Sequence, residues 1–156
     1  LIDAHPKRAM ANLSNQRNGY DIREFKVSIA IAPTKLNERT EWFLEKATEI
    51  GIDEVKLFSS YHSERRVANV DRFKKIVISA MKQSVKSKMP IVEDMVSFDK
   101  LVKQNYEGQK FIAWIDDNVK EQLCDLYKKG ENALILIGPE GDFSKEGPAQ
   151  RSRERV

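Results

Sequence analysis

The sequence predicts an α/β protein with a mostly parallel sheet and helices on both faces. Three observations carry this expectation. Short apolar runs alternate with longer amphipathic ones from residue 25 onward, Gly or Pro marks most of the junctions, and Leu134-Ile-Leu-Ile137 is apolar four times in succession. A continuous apolar run suits a strand covered on both faces, and such strands belong to parallel sheets whose carboxyl ends carry the binding loops. Strands that alternate with helices imply crossover connections and place helices on either side of the sheet.

Each element follows from local pattern. Residues 1–24 hold Pro6, Gly19 and the polar run Asn12 to Asn18, and read as a strand or two with loops. Phe25 to Ile31 alternates as a strand and Pro33 stops it. Asn37 can cap a helix through Ile50, with Glu38 and Glu41 in its positive first turn and Gly51 just past its end. Trp42, Leu44, Ala47 and Ile50 would supply its apolar face. Glu54 to Phe58 is the next strand, and a helix from Val70 to Lys86 would bury Phe73, Ile76, Val77, Ala80 and Met81 before Pro90. Ile91 to Met95 reads as a short strand, Ser97 as the cap of a helix through Lys103, and Lys110 to Asp116 as strand. Val119 to Lys129 reads as helix with Gly130 after it, and Ala133 to Ile137 as strand. Residues 147–156 abandon both apolar periodicity and capping logic, and read as a non-native or unstructured tail.

Composition bounds the function. The chain has 156 residues, 33% charged and 40% apolar, enough for one core of ordinary size. No apolar run reaches bilayer length, no leader-like segment opens the chain, and the single Cys124 cannot form an internal disulfide. These features point to a reducing cytoplasm. The net charge of +3 is unevenly placed: residues 61–90 carry eight Lys or Arg against two Asp or Glu. Arg65, Arg66, Arg72, Lys74, Lys75, Lys82, Lys86 and Lys88 therefore form a segment that can meet a polyanion, although a solvated helix face has the same composition.

The strand at 134–137 runs straight into Gly138-Pro139-Glu140-Gly141. The two glycines permit close backbone approach, Pro139 fixes a dihedral, and Glu140 is the only side chain between them that accepts a proton. An ordinary strand-to-helix turn looks the same. The glycine spacing and lysine of a phosphate loop are absent.

Four separated segments carry a resemblance: Thr34 to Gly51, Ser63-Glu64-Arg65, Ala80-Met-Lys-Gln-Ser-Val-Lys-Ser-Lys-Met-Pro90, and Ile137-Gly-Pro-Glu-Gly-Asp-Phe-Ser144. In order and spacing they resemble the RsmE-type 16S rRNA methyltransferases of the SPOUT class over residues 25–146. The resemblance implies transfer of a methyl group from S-adenosylmethionine to N3 of a uridine in small-subunit rRNA, a homodimer, and an α/β knot fold. It assigns residues 1–24 to the remnant of an N-terminal PUA-like barrel and 25–146 to the methyltransferase domain. The family's second cofactor loop, which completes the knot, has no counterpart among residues 147–156, so the resemblance also implies that the chain as given is an inactive fragment.

By resemblance, Gly138, Pro139, Glu140 and Gly141 belong to the cofactor loop, and Lys35, Arg39, Arg65, Gln83, Ser84 and Lys86 to the RNA side. Lys86 stands where the family usually has Arg and lacks the planar fork. The catalytic group is not identified; Arg65 and Glu140 are candidates. Uracil N3 carries a proton that must leave as the methyl arrives, which calls for a base or for cations that stabilise the developing charge. His5 and His62 lack partners at metal-ligand spacing, so no metal site is expected. Cys124 between Leu123 and Leu126 reads as packed, and Asp116-Asp117 as turn carboxylates. A non-catalytic RNA-binding module and a ligand-free dimerisation scaffold are the rival readings.

Overall fold

A computed structural model describes residues 2–5, 7–16, 23–113 and 121–140. The element order is β1 (Asp3–His5), β2 (Arg8–Met10), β3 (Val27–Ile31), α1 (Asn37–Ile50), β4 (Glu54–Ser59), α2 (Val70–Gln83), β5 (Ile91–Val92), β6 (Val96–Ser97), α3 (Phe98–Lys103), β7 (Gln109–Ala113), α4 (Leu123–Leu126) and β8 (Ala133–Ile137). β1 and β2 form a small antiparallel pair. The main sheet has the order β5-β4-β3-β8-β7, every pairing in it is parallel, and β6 joins the far end of β4.

Strand alternation sorts the side chains onto two faces. On one face Ile31, Val55 and Leu57 meet Leu44 and Ala47 of α1 and Phe73 and Val77 of α2. On the other, Ala30, Phe58, Leu134 and Leu136 meet Leu101 of α3. Helices thus cover both faces, as the sequence pattern predicts. Leu44, Val55, Leu57 and Phe58 are fully buried, each contributing roughly 1.5–3 kcal/mol by leaving water.

Several local expectations need correction. The cap of α1 is Leu36, not Asn37, and it makes no side-chain capping bond. Thr40, Leu44, Ala47 and Thr48 form the buried side of α1, whereas Trp42 and Ile50 are exposed. α2 ends at Gln83, three residues early, because Ser84 turns its hydroxyl onto the Ala80 carbonyl at 2.7 Å and Val85 adopts φ 55. The expected strand at 91–95 is only the two-residue β5, with β6 following at Val96, and in the described part of the expected 119–129 helix the helical residues are the single turn of α4. Cys124 is exposed, not packed.

Two polar clamps hold the amino ends of the strands. Asn132 accepts from the Lys26 N–H at 2.8 Å and donates to the Glu107 carbonyl at 2.9 Å, so one side chain fixes the entries of β3, β7 and β8. Asp53, buried just before β4, accepts from the Val27 N–H at 2.8 Å, from Arg23 at 2.8 Å and from Lys88 at 2.7 Å. Burial works against its ionisation, but the Lys88 ammonium, the Val27 N–H and the Arg23 guanidinium outweigh burial and hold the carboxyl below its usual range.

Candidate functional site

β3 and β8 lie side by side although more than a hundred residues separate them; the chain runs from β3 to β4 on one side and reaches β8 from β7 on the other. α1 and α2 serve one edge and one face; α3 serves the other face. A parallel sheet opens a crevice at such a switch point, beyond the carboxyl ends of the strands. Gly138-Pro139-Glu140 stands there, at the end of β8 and next to the turn that carries β3 into α1.

That turn is built from hydroxyl groups. The Ala32 N–H donates to the Ile137 carbonyl at 3.1 Å, Pro33 is buried, the Thr34 N–H donates to the Thr40 hydroxyl at 3.1 Å, and the Thr34 hydroxyl donates to the Leu36 carbonyl at 2.7 Å. α1 therefore starts at the crevice, with no side-chain cap on its positive end. Across from it, Arg39 Nη1 meets Glu140 Oε1 at 2.9 Å; the two side chains are 66% and 44% exposed. β4 delivers the third loop. The buried Ser63 hydroxyl accepts from the Ser60 N–H at 2.9 Å, and this tight turn sets Arg65 so that its Nη2 donates to the Lys35 carbonyl at 2.7 Å. Lys35 Nζ pairs with Glu64 at 3.1 Å. Arg65 Nε is buried without a partner among the described residues.

Lys35, Arg39, Arg65 and Glu140 thus converge from the loops after β3, β4 and β8. Gln83, Ser84 and Lys86 do not join them. Gln83 ends α2, Ser84 caps it and Lys86 follows; α2 runs about 20 Å antiparallel to the strands, so all three lie at the amino edge of the sheet. Ser84 spends its hydroxyl on the helix, while Gln83 is exposed. The six residues assigned to the RNA side form two groups at opposite ends. Gly141, Asp116 and Asp117 lie outside the described residues. Sequence reasoning overlooked Thr34 and Thr40, which shape the crevice, and the Arg23, Asp53 and Lys88 cluster at the other edge. Threonines ahead of and within a helix carry no distinctive spacing, and the cluster joins residues up to 65 positions apart, so no local signal marked either.

A cofactor with polar edges suits this crevice. Among the described residues neither the Gly138 nor the Glu140 N–H donates to another backbone carbonyl, and Glu140 keeps Oε2 free of the Arg39 pair. Backbone donors beside a carboxylate fit a ligand that offers both acceptors and hydroxyl or amino donors. Among the described residues no group of three His, Cys, Asp or Glu side chains is placed to hold a metal, and no helix is long and apolar enough to cross a membrane.

Comparison with known proteins agrees with this geometry. The crystal structure of a probable rRNA-methyltransferase from Porphyromonas gingivalis is 41% identical, with a TM-score of 0.75 over 85% of this chain and 57% of that one. The Neisseria gonorrhoeae ribosomal RNA small subunit methyltransferase E bound to S-adenosyl methionine shares the fold, with 22% identity and a TM-score of 0.71 over 83% of this chain and 55% of that one. Among curated proteins, the ribosomal RNA small subunit methyltransferase E of Bacillus subtilis is 26% identical over 150 residues, 85% of this chain and 57% of that protein. The chain spans just over half the length of these relatives. The RNA methyltransferase domain family matches residues 22–154, and the chain belongs to that family.

Proposed function

We propose that the protein acts in the cytoplasm as an S-adenosylmethionine-dependent methyltransferase on small-subunit rRNA, and that its target is N3 of a uridine. The observation that carries the reading is the meeting of Gly138-Pro139-Glu140 with Lys35, Arg39 and Arg65 at the sheet's switch point. Gly138, Pro139, Glu140 and Gly141 would hold the cofactor, which when bound supplies an electrophilic methyl group on a sulfonium.

The chain's own residues have the remaining tasks. N3 lies on the Watson-Crick edge, so the uridine must be unpaired or extruded before it reaches the crevice. Loss of its proton puts negative charge on the flanking carbonyl oxygens, and Arg65 or Arg39 can stabilise that charge through the fixed fork of the guanidinium. Glu140 Oε2, free of Arg39, is placed to accept the proton, which makes Arg39 the group that orients it. Lys35, 68% exposed, holds RNA phosphate at the rim.

The test is transfer of labelled methyl from S-adenosylmethionine to unmethylated 16S rRNA or small subunits. It is run with this chain and with the chain joined to the portion of the Porphyromonas gingivalis relative beyond the matched region. Label at uridine N3, read as a reverse-transcription stop because that edge can no longer pair, is the expected result. RNA binding without cofactor binding in either protein would replace the enzyme with a non-catalytic RNA-binding module, and label on another base would overturn the uridine assignment.

A further inference from the structure

The amino edge of the sheet carries a second, separate concentration of donors. A cleft of ≈ 80 Å³ lies there, lined by Arg23, Gly51, Asp53, Lys86 and Lys88 among others. Three cations face one carboxylate. Asp53 is fully engaged by the Val27 N–H, Arg23 and Lys88, so it acts as the post that holds two of the cations in place. Among the described residues Lys88 keeps two of its three donors, and Arg23, after bonding Asp53 and the Gly51 carbonyl through Nη2, keeps its Nη1 and Nε donors. Among the described residues Lys86 has no carboxylate or carbonyl partner; its Nζ lies 3.6 Å from the point where a Gly51 Cβ would stand. Gly51 has φ 99 and bears no side chain, which leaves the space in front of that ammonium open.

The charge continues beyond the cleft. Lys74, Lys75 and Lys82 are exposed on one side of α2, spread over about 12 Å of helix, and among the described residues no carboxylate pairs with them. Arg72, by contrast, is closed by Glu41 at 2.7 Å. A surplus of cationic donors with no matching acceptor, drawn out in a line, suits a chain of phosphates.

We infer that the cleft formed by Arg23, Lys86 and Lys88 is a phosphate subsite for the RNA backbone, reached along Lys74, Lys75 and Lys82 and lying at the opposite end of the sheet from the methyl-transfer crevice. The inference rests on the RNA reading above and extends it: substrate RNA is gripped at two ends of the domain. The plainer role for Lys86 is to offset the negative end of α1, whose last turn has no basic residue. That role concerns stability alone, so the two separate experimentally.

The experiment measures binding of a single-stranded oligouridylate and of 16S rRNA by the whole chain across a salt series. Its variants are Lys86→Ala, Lys86→Ala/Lys88→Ala, and the control Lys100→Ala/Lys103→Ala on α3. Phosphate contact predicts that Lys86→Ala weakens binding several-fold and reduces the slope of log K against log salt by about 0.7 to 0.9. The double variant should reduce it further, and the control should keep the wild-type slope. Equal slope losses in the test and control pairs would mean diffuse charge and overturn the subsite. An unchanged slope with a lowered melting temperature in Lys86→Ala would make Lys86 a helix-end residue only, and absence of RNA binding by the parent chain would overturn the inference outright. Methyl transfer is read separately. A failed transfer assay with the slope effect intact sinks the enzyme reading and leaves the subsite standing.

Discussion

Val85 is a β-branched residue at φ 55, and it is the only non-glycine residue with positive φ among those described. It occupies the left-handed position that closes α2, where the Lys86 N–H reaches the Met81 carbonyl at 3.0 Å, a position that ordinarily selects glycine. An L side chain there costs about 1–2 kcal/mol, and more when branched. Val85→Gly removes that cost but gives back up to about 1 kcal/mol in unfolded-chain entropy. The net expectation is a gain of about 1 kcal/mol, seen as a melting temperature raised by about 2–4 °C. A lower melting temperature would show that the exposed Val85 side chain makes a contact worth more than the strain. At this scale the sequence was legible where chemistry is local, as at Ser97, whose hydroxyl accepts from the Lys100 N–H as a cap should. Trp42 misled because a large apolar residue signals burial only when a partner surface faces it. At 64% exposure it faces none among the described residues.

Elements were legible wherever periodicity and punctuation agreed. α1 ends where predicted, at Ile50, and β8 has its predicted bounds, since Gly51 closes the one and unbroken apolar character defines the other. α2 was overextended because periodicity does not register a serine that folds its hydroxyl back onto the helix. The clamp at Asp53 was invisible for a different reason, namely that its partners come from two segments far from it in the chain, residues 23–27 and Lys88. It makes a prediction of its own. The folded carboxyl titrates below its unfolded value of about 3.9, so the native state binds fewer protons in that window. The Asp53 contribution is therefore complete above that value and is lost as the pH falls through the folded pKa. Asp53→Asn should cost about 2 kcal/mol at pH 7, from weaker bonds to Arg23 and Lys88, and the gap from the parent chain should narrow at pH 3. Denaturant unfolding at both pH values measures it. An equal gap at both would mean that packing, not charge, is what Asp53 supplies.

At the scale of the whole molecule, the alternation of strands and helices announced a parallel sheet, but not that β3 and β8 would be neighbours. That pairing joins residues far apart in the chain and is decided by which apolar surfaces fit together, which no local pattern records. It is also the fact that makes a site, since it puts Gly138 beside the start of α1 and sends the loop after β4 alongside. The candidates named from sequence thus fall at two poles, with Arg39, Arg65 and Glu140 at the carboxyl pole and Gln83, Ser84 and Lys86 at the amino pole. Amide hydrogen exchange can tell the poles apart. S-adenosylmethionine, added to a form of the protein that binds it, should slow exchange in residues 34–40 and 138–140 and leave 84–89 unaffected. A single-stranded oligouridylate should slow 84–89 and the exposed turns of α2. Each ligand tightens the hydrogen bonds nearest to it, and the paired central strands β3, β4 and β8 between the poles, with their buried side chains, already exchange slowly. Protection by the oligonucleotide confined to the carboxyl pole would mean that RNA is held at the crevice alone, leaving the amino pole to the task of tying β3, β4 and α1 together.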